Sequence, residues 1–481
     1  VVGLREAARL VAAGSILLGV AASTASCHRP ETKPSVLLIV VDTLRADRVG
    51  ALREGAAATS PSATPLLDRW ASQAALFRRA GTPAPFTMPA MAAMFSGNYP
   101  DRTGVAAHEP GTSLDPWAGT TLAEAARKSG LQTAAVVANP WLARAGTGFN
   151  RGFTDFSRLY VPGAAPGTSS ATAVTDEAIR LLERVAGGRF FLWVHYFDPH
   201  MPYRPPARFA EAAGASPAPS RVMTDFDAPG RDLRTLYQGA GYSAAEVDQA
   251  RRLYDGEVRY TDHEIGRLLE RMESLGLAAG TIVIVASDHG ESLGEHGLHF
   301  AHDYTLYEEL TRVALMMRGP GVPPGARDDN VSLIDVAPTV CRLAALDCSS
   351  AFDGRDLFAA PDRQRTLMAA STPLRRKGTP FDRLQVPGPD GRWTMALRGN
   401  NKLLRIPARD RTTFEMYDLA TDPAELDDLS GLATGERERL EAELDRWRGE
   451  MESARPPAPA REGRRKHRRD TRALRSLGYL Q

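Results

Sequence analysis

The chain has 481 residues, 43% hydrophobic and 24% charged, the balance of an ordinary globular protein with a sizeable buried core. Lys plus Arg number 59 and Asp plus Glu 58, a net charge of +1. That balance excludes nucleic acid as the principal partner, because gripping a phosphate backbone requires a basic excess.

Residues 1–27 read as an export signal. Arg5 and Arg9 form a positive leading region, Leu10 to Ala22 is apolar and rich in small residues, and Thr24, Ala25 and Ser26 lead to Cys27. The apolar core is too short for a comfortable transmembrane helix. A cysteine in this place resembles the lipidated residue of a bacterial lipobox, although Thr24 stands where Leu, Val or Ile is usual. The expectation is a chain exported to the periplasm or outer membrane and held there by a lipid on Cys27. A plain secretory signal is the alternative. Residues 28–34 form a polar tether.

Beyond the tether the run Val36 to Val41 is unbroken, β-branched and apolar, as in a strand buried on both faces, and it ends in Asp42. Thr133 to Ala138 ends in Asn139, Phe190 to Val194 ends in His195, and Thr281 to Ala286 ends in Ser287-Asp288-His289. Helical spacing is clearest over Val247 to Leu275. Strands alternating with helices predict an α/β fold, a three-layer sandwich around a mainly parallel sheet. In such sheets ligands bind beyond the carboxyl ends of the strands, which is where these polar residues fall.

Ala210 to Asp232 and Leu374 to Arg392 read as surface loops. Short segments at Trp393 to Leu397 and Asn401 to Arg405, then a helix over 434–451, predict a smaller C-terminal subdomain with an antiparallel sheet. The expected division is a catalytic domain over 35–374 and this subdomain over 375–481. The subdomain includes a basic tail, with eight Arg or Lys against two acids between Arg461 and Arg475, which is read as a solvated linker. Cys341 and Cys348 can pair in an oxidising compartment, but on one continuous helix they would lie two turns apart, roughly 10 Å, too far for a bridge.

Four places carry candidate chemistry: Asp42; Thr87, in Pro85-Phe-Thr-Met-Pro-Ala90; Asp288-His289; and the pair His200 and His302. Each has a plain structural account. Asp42 suits a turn, Thr87 suits a helix N-cap with Pro89 in the first turn, and His200 suits packing between prolines. As a set they have another logic. Two carboxylates, an imidazole and a hydroxyl are suitable ligands for one divalent cation, which activates the hydroxyl as a nucleophile. His200 and His302 then bind the transferring group and protonate the leaving oxygen. His195 and Asn139 are candidate substrate-binding residues. Mn, Zn, Ca and Mg all fit the donor types.

The order and wording of these segments resemble the sulfatase family of the alkaline-phosphatase superfamily, from about Pro34 to about Leu429. The resemblance includes Val194-His-Tyr-Phe-Asp-Pro-His-Met-Pro-Tyr203, Leu306-Tyr-Glu-Glu309, Leu333-Ile-Asp-Val-Ala-Pro-Thr339 and Met416 to Pro423. It implies that Asp42, Asp288 and His289 are metal ligands, that Thr87 occupies the nucleophile position and completes the metal shell, and that His200 and His302 contact substrate.

Three departures bear on the reaction. Sulfate-ester enzymes of the family carry Cys or Ser in Cys/Ser-x-Pro-x-Arg and oxidise it to formylglycine. Here the string is Thr87-Met-Pro-Ala-Met91, so both the oxidisable residue and the Arg are absent. The acid pair that usually ends the first strand is Asp42 followed by Thr43. A threonine alcohol is secondary and cannot give the aldehyde, so an ester on Thr87 must be opened by water, a route that phosphoryl groups tolerate. The expectation is a hydrolase of phosphate mono- or diesters acting on small-molecule, glycan or lipid esters. The alternatives are a sulfuric ester hydrolase, a phosphoethanolamine-type transferase, which Ser287 to Glu295 resembles, and a non-catalytic surface-anchored binding protein.

Overall fold

The computed structural model describes residues 33–456, apart from 54–60, 108–111, 160–170, 217, 219, 229–236, 240, 349–350, 363, 373–390, 408–410 and 433–434. The export signal with Cys27, most of the tether, nearly all of the 374–392 loop and the basic tail lie outside the described residues.

The apolar runs build one sheet of eight strands. In chain order these are β1 Ser35–Val41, β2 Ala75–Phe77, β3 Gln132–Val137, β4 Asp155–Arg158, β5 Phe190–Tyr196, β6 Thr281–Ser287, β7 Leu315–Arg318 and β8 Gly325–Arg327. Their order across the sheet is β8-β2-β7-β6-β1-β5-β3-β4. β7 runs antiparallel to both of its neighbours, and every other pairing is parallel. Every residue of β1, β5 and β6 is buried, which is why these strands read as continuous apolar runs rather than alternating ones.

Helices cover both faces. α1 Thr87–Ser96, α2 Ala171–Val185, α3 Ala244–Ser274 and α4 Val336–Leu343 divide between them. α2 and α3 pack with Leu37, Ile39 and Val41 on one face. α1 and α4 pack with Val36, Leu38 and Val40 on the other. The expected three-layer sandwich is therefore the observed one. α3 starts where its chemistry dictates: Ser243 Oγ accepts from the Glu246 N–H at 3.3 Å while the Ser243 N–H donates to Glu246 Oε2 at 2.8 Å, a reciprocal cap. From the middle of α3, the Tyr254 hydroxyl donates to the Thr43 carbonyl at 2.8 Å and accepts from the Arg45 N–H at 3.0 Å, which pins the loop that leaves β1.

The C-terminal antiparallel sheet has the order β9 Thr366–Ala370, β10 Thr394–Arg398, β11 Asn401–Pro407 and β12 Thr412–Asp418. One face is covered by α5 Gly435–Ala454 through Leu440, Leu444, Trp447 and Met451. Its first strand lies upstream of residue 375, because β9 pairs with β10 across the intervening segment.

One further expectation is corrected, and one question that the sequence left open is answered. Ala210 to Asp232 is not simply a loop: it holds short helices at Ala207–Ala212 and Arg221–Asp227, which bury Ala210, Val222, Met223 and Phe226 against the core that contains α3. Cys341 and Cys348 do pair. α4 stops at Leu343, Ala345 takes a left-handed φ of 48°, and the Leu346 N–H returns to the Cys341 carbonyl at 2.9 Å. The reversal brings the two Cα atoms to 6.1 Å, so the continuous helix that would have kept them apart does not exist there.

Candidate active site

The sheet register assembles the site. Val40 of β1 lies level with His195 of β5 and Ala286 of β6, and His195 lies level with Val137 of β3. Side chains alternate along a strand, so Asp42, Asp288 and Asn139, each two residues on, continue that same face past the strand ends. It is the face on which α1 packs. Phe95 of α1 sets its ring edge-on to Trp193, two residues before His195, with ring centroids 4.7 Å apart. Gly97, at a φ of 68°, closes the helix by returning its N–H to the Ala93 carbonyl at 2.8 Å. All ten residues of α1 are buried, so Thr87 opens a helix that cannot shift without disturbing the core.

Thr87 is the first helical residue and not the cap. Phe86 holds the N-cap position, and no side chain caps there. The Thr87 hydroxyl is spent elsewhere, with Oγ1 3.4 Å from His289 Nε2 and 3.4 Å from the Asn139 amide nitrogen, which donates to it. Asn139 also donates to Asp42 Oδ2 at 2.5 Å, while its Oδ1 accepts from the Trp141 N–H at 2.8 Å and starts a short helix. His289 Nε2 lies 3.6 Å from Asp42 Oδ1 and 3.5 Å from Asp288 Oδ2. The other ring nitrogen, Nδ1, is 2.9 Å from the Gly290 carbonyl and donates to it, which turns Nε2 toward the carboxylates as a lone pair. Asp288 Oδ1 accepts from the N–H groups of His289 at 2.9 Å and Thr43 at 3.3 Å.

The predicted set Asp42, Thr87, Asp288, His289 and Asn139 thus converges. His195 joins it: ligand-type atoms of Asp42, His195 and Asp288 all lie within 4.8 Å of one another. Asp42, Asp288 and His195 are wholly buried. Burial and then the neighbouring Asp288 push the Asp42 carboxyl well above the usual carboxylate range. Burial pushes Asp288 up to about 7 and pulls His195 down to about 3. Asp42 Oδ1 and Asp288 Oδ2 accept no hydrogen bond among the described residues. Two buried carboxylates with an orphaned oxygen each, facing a neutral imidazole, are the donor set that a divalent cation satisfies.

The two remaining histidines stack on this centre. The His302 ring is 4.6 Å from His289 and 5.0 Å from His200, centroid to centroid. His200 lies flat on Phe197 at 4.5 Å and directs Nδ1 to the Met201 carbonyl at 2.6 Å. His302 donates from Nδ1 to Glu291 Oε1 at 2.9 Å, and its Nε2 is 3.6 Å from Asp303. Burial opposes charge on this ring, yet Asp303 and Glu291 beside it raise His302 to about 10. Glu291, fully buried, is the residue whose part the sequence did not single out. It stands in the Ser-Asp-His-Gly-Glu string, but its contact with His302 depends on a hairpin that pairs Ser292 with Ala301. His296 lies outside this centre, stacked on Tyr307 and close to Glu309 and Glu425.

The family model for sulfatases matches residues 34–346, more than half of the chain. The chain belongs to the sulfatase family. Among curated relatives it is 26% identical over 371 residues to a sulfatase of Formosa agariphila, covering 68% of this chain and 72% of that protein. It is 30% identical over 162 residues to the choline-sulfatase of Rhizobium meliloti, covering 32% and 31%. The chain thus spans about a third of the length of choline-sulfatase and of mouse iduronate 2-sulfatase, 31% in each case. Among solved structures, the phosphonate monoester hydrolase of Silicibacter pomeroyi superposes with a TM-score of 0.67 at 21% identity, over 87% of this chain and 94% of that one. A protein solved with its substrate D-glucosamine-2-N,6-O-disulfate gives 0.68 at 19% identity, over 88% and 99%. At these identities the likeness is one of fold. Two of the positions where the sequence was expected to depart from the family pattern can be placed in the structure. Thr43 follows Asp42 at a left-handed φ of 55°, and Met91 is fully buried in the apolar cluster under α1.

Proposed function

We propose that this sulfatase-family chain hydrolyses phosphate mono- or diesters through a covalent ester on Thr87. The observation that carries the reading is the Thr87 hydroxyl itself, which heads a buried helix, caps nothing and sits 3.4 Å from both His289 and Asn139. When bound, a divalent cation held by Asp42, Asp288, His289 and Thr87 lowers the pKa of that hydroxyl; manganese, zinc, calcium and magnesium all suit the donors. Thr87 Oγ1 attacks phosphorus, with the positive end of the α1 dipole favouring the anion. His302, kept protonated by Asp303 and Glu291, gives its proton to the leaving oxygen, and His200 beside it orients the transferring group. Water then opens the Thr87 ester, the exit that remains when no aldehyde can form.

Sulfate-ester hydrolysis is the second reading, favoured by the sulfatase names of the curated relatives. Turnover of p-nitrophenyl phosphate, bis(p-nitrophenyl) phosphate and p-nitrophenyl sulfate, each with and without Thr87→Ala, separates the two. Phosphate turnover abolished by Thr87→Ala supports the first. Sulfate turnover alone supports the second, and turnover of none supports a binding protein. We also place the chain in the cell envelope, anchored through Cys27. The Cys341–Cys348 bridge supports an oxidising compartment, and labelling with a radioactive fatty acid tests the anchor.

A further inference from the structure

β5 is apolar along its length except where His195 interrupts it, level with Val40, Ala286 and Val137. An imidazole in such a row needs a polar partner, because a buried donor or acceptor left unmatched is destabilising. Neither ring nitrogen of His195 has a hydrogen-bond partner among the described residues. The ring is fixed edge-on to Trp193, with centroids 5.9 Å apart, and its ligand-type atom falls within 4.8 Å of those of Asp42 and Asp288. The oxygens of those same residues, Asp42 Oδ1 and Asp288 Oδ2, are likewise unmatched. Three orphaned groups that face one another share one missing partner, and a cation supplies it.

We propose that His195 is a further ligand of the centre, so that two imidazoles and two carboxylates, together with the Thr87 hydroxyl, hold one divalent ion of the manganese-to-zinc series. The inference rests on the reading of Asp42, Asp288 and His289 as a cation centre. His289 approaches the same two carboxylates, at 3.6 Å from Asp42 Oδ1 and 3.5 Å from Asp288 Oδ2, so both imidazoles share the aspartates as neighbours. Thr43 explains why a nitrogen is wanted there. Its left-handed backbone turns its N–H onto Asp288 Oδ1, and it brings no carboxylate to the centre. Two carboxylates already neutralise a divalent ion, so a neutral donor completes the shell without excess negative charge. Imidazole donors also favour manganese or zinc over calcium, whose shell is built of oxygens.

The test counts nitrogens. Electron spin-echo modulation of the Mn(II)-loaded, full-length protein is expected to show coupling to two imidazole nitrogens, falling to one in His195→Gln. Calorimetric titration with MnCl2 is expected to show affinity weakened about 100-fold in that variant, with calcium affinity changed far less. Thermal unfolding of the metal-free variant checks that it folds; the wild-type spectrum stands regardless. Mn(II) bound with one imidazole coupling in the wild type overturns this inference and leaves the cation centre intact. No Mn(II) or Zn(II) binding to the wild type overturns both.

Discussion

The Asn139 side chain ties Asp42 to the chain leaving β3: one amide group donates to Asp42 Oδ2 at 2.5 Å and accepts from the Trp141 N–H at 2.8 Å. The first bond holds one carboxylate oxygen so that the other, Oδ1, faces the centre. The second starts the short helix Pro140–Ala143 and fixes the amide plane. Asn139→Ala removes both. The expected result is a loss of about 1 kcal/mol from the lost cap and a fall of about 10- to 100-fold in turnover or cation affinity. Urea unfolding and steady-state kinetics read the two effects separately, and a variant with wild-type kinetics would exclude Asn139 from positioning Asp42.

Thr87→Ser keeps the hydroxyl and the helix start, whereas Thr87→Ala keeps only the helix. Turnover of a phosphate ester is expected to survive in the serine variant and vanish in the alanine variant, with both retaining the wild-type melting temperature. Acid-quenched wild-type protein is expected to yield a phosphorylated peptide containing Thr87. A phosphorylated peptide at any other residue, or full activity in the alanine variant, removes Thr87 from the nucleophile position.

The main strands were legible because burial on both faces leaves nothing but apolar residues, and each run ended on the residue that meets the site. The edge strands were not: Ala75–Phe77 and Gly325–Arg327 have three residues each, too few to show a period. Thr366–Ala370 is Thr-Leu-Met-Ala-Ala, a string equally suited to a helix, and only its pairing with Thr394–Arg398 makes it a strand. The pairing of Cys341 with Cys348 stayed open in the sequence for a local reason, since Ala345 reverses the chain where no glycine announces a turn. Asp42, Asp288 and His289 could be read from position at strand ends. The link from Glu291 to His302 could not, because it arises only when the intervening hairpin closes.

His302 sets the alkaline limit. Against the effect of burial, Asp303 and Glu291 raise it from 6.5 to about 10, so as general acid it stays protonated until about that pH and turnover falls above it. Glu291→Gln removes one of the two carboxylates, and the alkaline limb of the kcat profile is expected to move to lower pH. The same shift is linked to stability. The folded pKa lies above the unfolded one, so the contribution is fully present below about 6.5 and is lost as pH rises through about 10. An unchanged limb in Glu291→Gln assigns leaving-group protonation to another residue.

Gly290 is squeezed between the centre and the segment that follows the hairpin. A Cβ there would run into the Glu309 carbonyl, and the Gly290 N–H already donates to the Leu310 carbonyl at 3.0 Å. Gly290→Ala therefore has to push back the backbone that carries His289. A drop in melting temperature together with weakened cation binding is expected, whereas the same change at exposed Gly187, which has open space around it, alters neither. Calorimetry on both variants decides it, and equal behaviour of the two would refute the close approach.

Cation binding carries its own pH signature. Burial holds the Asp288 proton up to about 7, against 3.8 for a free carboxyl, so between those values the metal-free folded chain keeps a proton that the unfolded chain has released. Its stability from this group is therefore present at low pH and is lost as pH rises through about 7. A cation replaces that proton and reverses the trend, because the ionised carboxylate is the form that binds it. The rise in melting temperature on adding MnCl2 is thus expected to be small near pH 5 and large near pH 8. Asp288→Asn removes one of the two buried titrating carboxylates and is expected to shrink the pH-dependent part of the rise. A metal-induced shift that is flat across this range, or that is undiminished in Asp288→Asn, would mean that the cation sits elsewhere.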